Sequence, residues 1–474
     1  MQYETVIGLE VHVQLNTTSK IFCADDTTFG AAPNTHISAI SLAHPGTLPR
    51  LNSKAVDSAV KLGIALGCRI NQHSSFDRKN YFYPDLPKGY QITQDKSPIC
   101  IGGSVKVGDR TVRIHHIHLE EDAGKSIHDQ DPYNTLIDLN RSGVPLLEIV
   151  TEPDLRSATE TAAFMDEIRR LVRWIDISDG NMEEGSMRCD VNISVRKTGE
   201  AYGQRCEIKN VNSMRFARKA IEFESERQIH LLENGGTVQQ QTRGFDPVSG
   251  ITYPQREKED AHDYRYFPEP DLPPVILTDE RLEAIKAGMP TLPAALYSRF
   301  CEVLQLSNYD AHLITQDLPT ATWFDALTQN MEPVTAKSLA NLVINKLLPW
   351  SAQEGKTLAD CPVPPAAWLH FVDLIQSGKV SASAANQHLF PALMESPEAS
   401  PETLATNLQL IQSADTDFLE NIIKEVLSRF PDKVTEYQKG KKGLIGMFMG
   451  EVMKLAKGKA EPKTTQQMLE EKLK

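Results

Sequence analysis

The sequence predicts an α+β protein, in which a sheet-containing first domain is followed by helical regions, and three observations carry that prediction. Thr5 to Leu15 alternates with period two, placing Ile7, Leu9, Val11, Val13 and Leu15 on one face and Gly8, Glu10, His12 and Gln14 on the other, as a half-buried strand requires. Thr159 to Trp174 carries Ala162, Met165, Ile168, Leu171 and Val172 at helix-face spacing, so a helix interrupts the strands. From about Leu292 onward the apolar residues recur at helical spacing with few strand signals.

A chain of 474 residues exceeds what one hydrophobic core usually organises, so two or three domains are expected. The breaks fall after the proline-rich stretch Pro268 to Pro274 and around Pro397 and Pro401, giving expected domains 1–290, 291–400 and 401–474. There is no internal repeat and no low-complexity tract.

Composition excludes several classes. With 40% hydrophobic and 24% charged residues the chain reads as globular, and no run of about 18 apolar residues offers a membrane span. Met1 to Thr5 lacks the basic and apolar regions of a signal peptide, so a cytoplasmic protein is expected. Seven cysteines without paired spacing argue for reduced thiols rather than a disulfide framework. A net charge of −13 repels polyanions from most of the surface, confining any nucleic-acid contact to local basic patches. One such patch runs from Asp432 to Lys474, with ten lysines against six acids, among them Lys439, Lys441, Lys442, Lys454 and Lys457. On composition alone it reads as a solvated helical surface.

The chemistry is carried by strands with acids on one face and apolar residues on the other. Met187 to Arg196 sets Arg188, Asp190, Asn192, Ser194 and Arg196 against Met187, Cys189, Val191, Ile193 and Val195. Arg205, Glu207 and Lys209 share a face of the next segment, an expected antiparallel hairpin partner. Solvation of a half-buried sheet explains any one of these faces. Glu148 lies in the apolar segment Val144 to Val150, where an unpaired carboxylate is costly, so it needs a cation, either Arg141 or a bound metal. His118 to Asp122 adds a histidine and three acids after the strand-like segment Val112 to Ile117, with a solvated turn as the bland alternative.

If they converge, Glu10, His12, Glu121, Glu148, Asp190 and Glu207 form an oxygen-rich site suited to Mg²⁺, which would bridge the phosphates of ATP during transfer to a carboxylate. The candidate ligands proper are Glu10, His12, Glu121 and Glu148. Arg78 and Lys79, in the aromatic-rich segment Asp77 to Asp85, are the candidate phosphate contacts, with a locally packed surface loop as the alternative. Ala123-Gly124-Lys125-Ser126 mimics the end of a P-loop, but Leu119 stands where its first glycine should be. Dinucleotide GxGxxG, HExxH and Gly-x-Ser-x-Gly patterns are missing.

These same segments closely resemble the B-subunit family of tRNA-dependent amidotransferases over nearly the whole length. The resemblance is carried by Glu4 to His12, Phe76 to Asp85, Glu120 to Ser126, Pro145 to Asp154, Met182 to Asn192 and Asp263 to Asp271. It implies a glutamine-synthetase-like cradle domain with a mixed or antiparallel sheet, then a helical domain and a small helical tail. It further implies ATP-dependent phosphorylation of the side-chain carboxylate of Glu-tRNA(Gln) or Asp-tRNA(Asn). Ammonia, released from glutamine by an amidase (A) subunit and channelled to the site, then gives the amide, with a small C subunit completing a heterotrimer.

On this resemblance Glu10, His12, Glu121, Glu148, Asp190 and Glu207 fall on metal and active-site positions, Lys79 on a basic position near the phosphates, and the lysine-rich tail on a tRNA-gripping element. Many relatives carry a four-cysteine zinc site around Phe22 to Ser41. Here only Cys23 remains, with Asp25, Ser38 and Ser41 at the other positions, so no structural zinc is expected. Two other readings are a non-catalytic tRNA-binding scaffold and a free-standing ammonia-using ligase for a small carboxylic acid.

Overall fold

The strand with the clearest alternation lies in the middle of the principal sheet. In the computed structural model, which describes residues 3–211, 213–257, 264–411, 416–456 and 462–473, it runs Tyr3–Gln14. It pairs antiparallel with Pro145–Thr151 on one side and Met187–Lys197 on the other. The sheet has ten strands, in the spatial order Ile251–Glu257, Gln241–Asp246, Cys206–Val211, Met187–Lys197, Tyr3–Gln14, Pro145–Thr151, Arg110–Glu121, Cys100–Ile101 and Arg69–Ile70. The tenth, Ser104–Val107, pairs with Arg110–Glu121. One junction is parallel, Cys206–Val211 with Gln241–Asp246, which makes the sheet mixed.

Alternation assigns the faces. Ile7, Leu9, Val11 and Val13 are buried, as are Ile193 and Val191 across from Ile7 and Leu9. Helix Met214–Glu233 packs on strand Met187–Lys197 and against helix Ala158–Trp174. The latter begins where Ser157 accepts the backbone N–H of Glu160, a side-chain cap for an otherwise unpaired donor. Each fully buried Ile, Leu or Val in this layer contributes roughly 1.5–3 kcal/mol by leaving water, which leaves the opposite face of the sheet free to carry charge.

Contacts divide the chain into two compact units, Met1–Leu292 and Pro293–Lys474. The described residues of the second are helical, as the periodicity from Leu292 onward predicts. Within it, helices Phe390–Glu395 and Pro401–Asn407 are separated at Pro397, and Pro401 occupies the first turn of the latter, where a missing N–H costs nothing. Leu419, Ile423, Val426, Phe448, Val452 and Leu469 form a buried cluster drawn from helices Thr416–Arg429, Ile445–Leu455 and Pro462–Lys472. No helix among the described residues is long and apolar enough to cross a membrane.

Candidate metal centre and cleft

Register brings the polar residues of five strands into one row. His12 stands opposite Glu148, and Glu148 opposite His118. On the other side Glu10 stands opposite Asp190 and His12 opposite Arg188, while Asn192 stands opposite Glu207. Directly paired residues point to the same face of a sheet. Alternation in five separate segments therefore builds a single charged surface.

At its centre is Glu148, whose Oε2 lies 3.2 Å from His12 Nε2 and 3.5 Å from His118 Nε2. His12 Nε2 is also 3.4 Å from Glu10 Oε1, and His118 Nε2 is 3.3 Å from Glu120 Oε2. Two groups of donor atoms result, Glu10/His12/Glu148 and His118/Glu120/Glu148, each with its atoms within 4.8 Å of one another and both sharing Glu148. Asp190 continues the row through Lys209 Nζ at 3.7 Å, and Lys209 lies 3.4 Å from Glu207. At the other end Asp122 accepts from Gln14 Nε2 at 2.6 Å and from both terminal nitrogens of Arg188 at 2.9 and 3.1 Å.

The electrostatics are those of a site with surplus negative charge. Burial, and then the carboxylate of Glu148, push the Glu10 carboxyl up to about 7. For His12, burial works against the charged form, but hydrogen bonding and attraction to Glu148, with Glu10 behind it, win and raise the imidazole to about 9. Burial would likewise raise Glu148, yet His118, His12 and Lys79 outweigh it and hold the carboxyl well below its ordinary range. Once the imidazoles are neutral, as ligation of a metal requires, the five carboxylates of Glu10, Glu120, Glu148, Asp190 and Glu207 outnumber the cations beside them among the described residues, Lys79, Lys209 and an Arg188 already forked onto Asp122. A divalent cation fits that imbalance. The donors are carboxylate oxygens with imidazole nitrogen, which suits Mg²⁺ and suits Mn²⁺ better. The buried Nδ1 of His118 has no hydrogen-bond partner among the described residues.

Beside the row is a cleft of about 450 Å³ lined by Lys79, Tyr81, Tyr83, Lys209, Thr242, Gln255 and Tyr264. The Lys79 ammonium sits 4.9 Å from the centre of the Tyr264 ring. Burial disfavours its charge, but Glu120 and Glu148 more than offset this and raise its pKa. Lys79 is thus a held cation between the acid row and an aromatic wall.

Not every residue singled out in the sequence arrives there. Arg110–Glu121 stays a strand through His118, Glu120 and Glu121, so these are not turn residues, and only Asp122 lies beyond its end. A strand reverses faces at each residue, and it is Glu120 that joins His118 and Glu148. Glu121 instead accepts from Lys88 Nζ at 2.5 Å and the Ile92 N–H at 2.9 Å. The same alternation separates Arg78 from Lys79. Arg78 is forked onto Glu269 at 2.8 and 2.9 Å, bonded to Asp271 at 3.1 Å and stacked 4.3 Å from the Tyr90 ring centre, so its Nε and Nη2 donors are engaged away from the row. Arg141 does not meet Glu148. Its guanidinium donates to the carbonyls of Ala123 and Gly124. Of the segment His118 to Asp122 it is therefore His118 and Glu120, not Glu121, that join the donor groups, and alternation carried past Ile117 would have selected them.

The P-loop look-alike has a packing role. A Cβ on Gly124 would meet the carbonyl oxygens of Asp85 and Asp138 at 2.9 Å, so glycine allows three segments to close up there. Around Cys23 the side chains are bonded to one another, Ser41 donating to Asp25 and lying 3.5 Å from Cys23 Sγ. In the tail, Lys439, Lys441, Lys442 and Lys454 are exposed. Lys441 reaches Glu436 at 3.1 Å and Lys442 covers the Tyr437 ring at 4.2 Å. Lys457 lies outside the described residues.

Together these features mark a class: a mixed-sheet α+β protein with a buried carboxylate–imidazole row beside a lysine-lined cleft, followed by a helical region. Comparison with known proteins narrows it. Residues 5–283 match the GatB/GatE catalytic domain and residues 322–473 the GatB domain, so the chain belongs to the GatB/GatE family. Among its relatives are proteins named as the B subunit of aspartyl/glutamyl-tRNA(Asn/Gln) amidotransferase. That of Nitrosospira multiformis is 47% identical over all of both chains, and that of Thermodesulfovibrio yellowstonii 45% identical over 99% of both. The Persephonella marina protein of that name is 45% identical over all of both.

Proposed function

We propose that this chain is the carboxylate-activating subunit of a tRNA-dependent amidotransferase, working with an amidase subunit and a small third subunit in the cytoplasm. Its substrate would be Glu-tRNA(Gln), Asp-tRNA(Asn) or both. The observation that carries the reading is the surplus of buried acid around Glu148, with Glu10 raised to about 7, beside a cleft whose cations are Lys79 and Lys209.

A divalent cation held by Glu10, His12 and Glu148, with His118 and Glu120 supplying a second set of donors, would neutralise charge on the β- and γ-phosphates of ATP. Lys79 and Lys209 would orient those phosphates from the cleft, and Tyr81 and Tyr264 would exclude water from its wall. The substrate carboxylate oxygen attacks the γ-phosphorus, the bond to the β–γ bridging oxygen breaks, and ADP leaves. Ammonia nitrogen then attacks the acyl carbon, loses a proton, and phosphate departs with its C–O bond. Asp190 and Glu207 stand nearest Lys209 on that side, where an acceptor for the amine proton belongs.

Residues 1–290 would perform this chemistry, 291–400 would form a separate helical domain, and 401–474 would grip the tRNA through Lys439, Lys441, Lys442, Lys454 and Lys457. Cys23 with Asp25, Ser38 and Ser41 would hold no zinc. The test is the assembled three-subunit complex supplied with each mischarged tRNA, ATP, Mg²⁺ and glutamine. ADP and amidated tRNA are expected in equal amounts, with a loss of about 100-fold or more in Asp190→Asn. Full activity in that variant would favour a scaffold role for this chain.

A further inference from the structure

Glu224, on helix Met214–Glu233, is fully buried and takes no part in the chemistry above. Its carboxylate accepts from Arg227 Nε and Nη2 at 2.9 and 2.7 Å, Gln228 Nε2 at 2.8 Å and Thr252 Oγ1 at 2.8 Å, and lies 3.2 Å from Arg243 Nε. Arg243 is buried too, and donates to Thr252 Oγ1 and carbonyl and to Gln241 Oε1. A buried ion network adds little net stability, and its best-attested use is to select one register over its neighbours.

Register is weakly specified at this place in the sheet. Strand Gln241–Asp246 joins the rest of the sheet through two residue pairs, Glu207 with Thr242 and Ile208 with Arg243, and it is the parallel junction. Its pairing with Ile251–Glu257 is irregular at the same two residues, Thr242 and Arg243. A slip of one residue would bring Arg243 or Gln241 to the face that Thr242 now occupies. That face matters, because Thr242 donates to Glu207 Oε2 at 3.2 Å and lines the cleft with Lys209 and Gln255.

We propose that Glu224 is a positioning residue: by holding Arg243 on the helix side of the sheet it fixes the register of Gln241–Asp246, and so keeps Thr242, Glu207 and Lys209 in place on the cleft. The kinetic part rests on the reading that the cleft takes ATP, and the structural part does not. The variants are Glu224→Gln, which removes the charge, and Thr252→Val, which keeps both charges but removes the hydroxyl bridging Glu224 and Arg243.

In the assembled complex, hydrogen exchange of peptides spanning 241–257 is compared with that of 187–197, and KM for ATP and for mischarged tRNA are measured with kcat. Both variants should speed exchange in 241–257 and leave 187–197 as in wild type. KM for ATP should rise about tenfold, as expected for loss of one good phosphate contact, with kcat within about threefold and KM for tRNA unchanged. Wild-type exchange in 241–257, or a fall in kcat at constant KM as from fewer folded molecules, would overturn the proposal. If the wild-type complex binds no ATP, the reading of the cleft fails while the exchange comparison still decides the register claim.

Discussion

Replacing Glu148 by Gln keeps the shape of the side chain and removes the charge at the centre of the row. Glu148 Oε2 lies 3.2 Å from His12 Nε2 and 3.5 Å from His118 Nε2, so at an effective dielectric of about 20 each ion pair is worth roughly 5 kcal/mol before desolvation. The net effect at His12 is the rise from 6.5 to about 9, achieved against burial, with Glu148 as the principal cause. In Glu148→Gln only Glu10 and Glu120 remain to oppose burial. His12 should then titrate below about 7, a fall of at least ~2 units or ~2.7 kcal/mol.

The assay is a histidine-selective NMR titration of the metal-free protein. Because the folded-state pKa of His12 is raised, its stabilisation is fully present below pH 6.5 and lost as pH rises through about 9. The stability gap between wild type and variant should therefore be widest near pH 6 and close above pH 9. The shared carboxylate also serves both donor groups, so Mn²⁺ affinity should fall on the order of 100-fold. A His12 that still titrates near 9 in Glu148→Gln would refute the reasoning, since the cation–carboxylate coupling would then lie elsewhere.

Other predictions follow from the same geometry. Asp122, buried but held down to about 2 by Arg188 and Arg141, should contribute about 2 kcal/mol of stability above pH 4 that is lost as pH falls through 2. Asp122→Asn should lower denaturation midpoints at pH 7, with the difference vanishing in strong acid. Mg²⁺ or Mn²⁺ uptake must displace the protons on His12 and Glu10, so calorimetry in buffers of different ionisation heat should show proton release, and affinity should rise up to about tenfold per pH unit between 7 and 9. Replacing exposed Lys439, Lys441 and Lys442 together by Ala should weaken tRNA binding and reduce the magnitude of its salt slope by about 1 for each phosphate contact removed. Filter binding at several salt concentrations measures that slope, and an unchanged slope would remove these residues from the interface.

Much of the sheet was legible because alternation is a local signal. Ile7, Leu9, Val11 and Val13 against Glu10 and His12 announce both a strand and its faces, and Met187 to Arg196 does the same for the neighbour that carries Asp190. What local pattern cannot supply is the partner across the sheet. Glu148 needed a cation, for which the sequence offered nearby Arg141 or a bound metal, whereas it is His12 and His118 that reach it, from other strands of the sheet. Glu121 and Arg78 show a different difficulty. Each adjoins the residue that faces the site, Glu120 and Lys79, and a one-residue error in phase exchanges a buried structural ion pair for a site residue. Glu224 was not legible at all, because one glutamate among Glu222, Glu224, Glu226 and Glu233 of the same helix looks like surface until the hairpin behind it is folded.

The proposed chemistry depends above all on a divalent cation held at Glu148, next to the cleft, by residues from separate strands. A crystal of the protein soaked with Mn²⁺ and ADP, examined by anomalous diffraction at the manganese edge, decides whether one binds there. A peak is expected within about 2.2 Å of donor atoms from Glu10, His12 and Glu148, with the diphosphate on the Lys79 side. A nucleotide bound in the cleft with no manganese in the acid row, or manganese elsewhere on the protein, would contradict it.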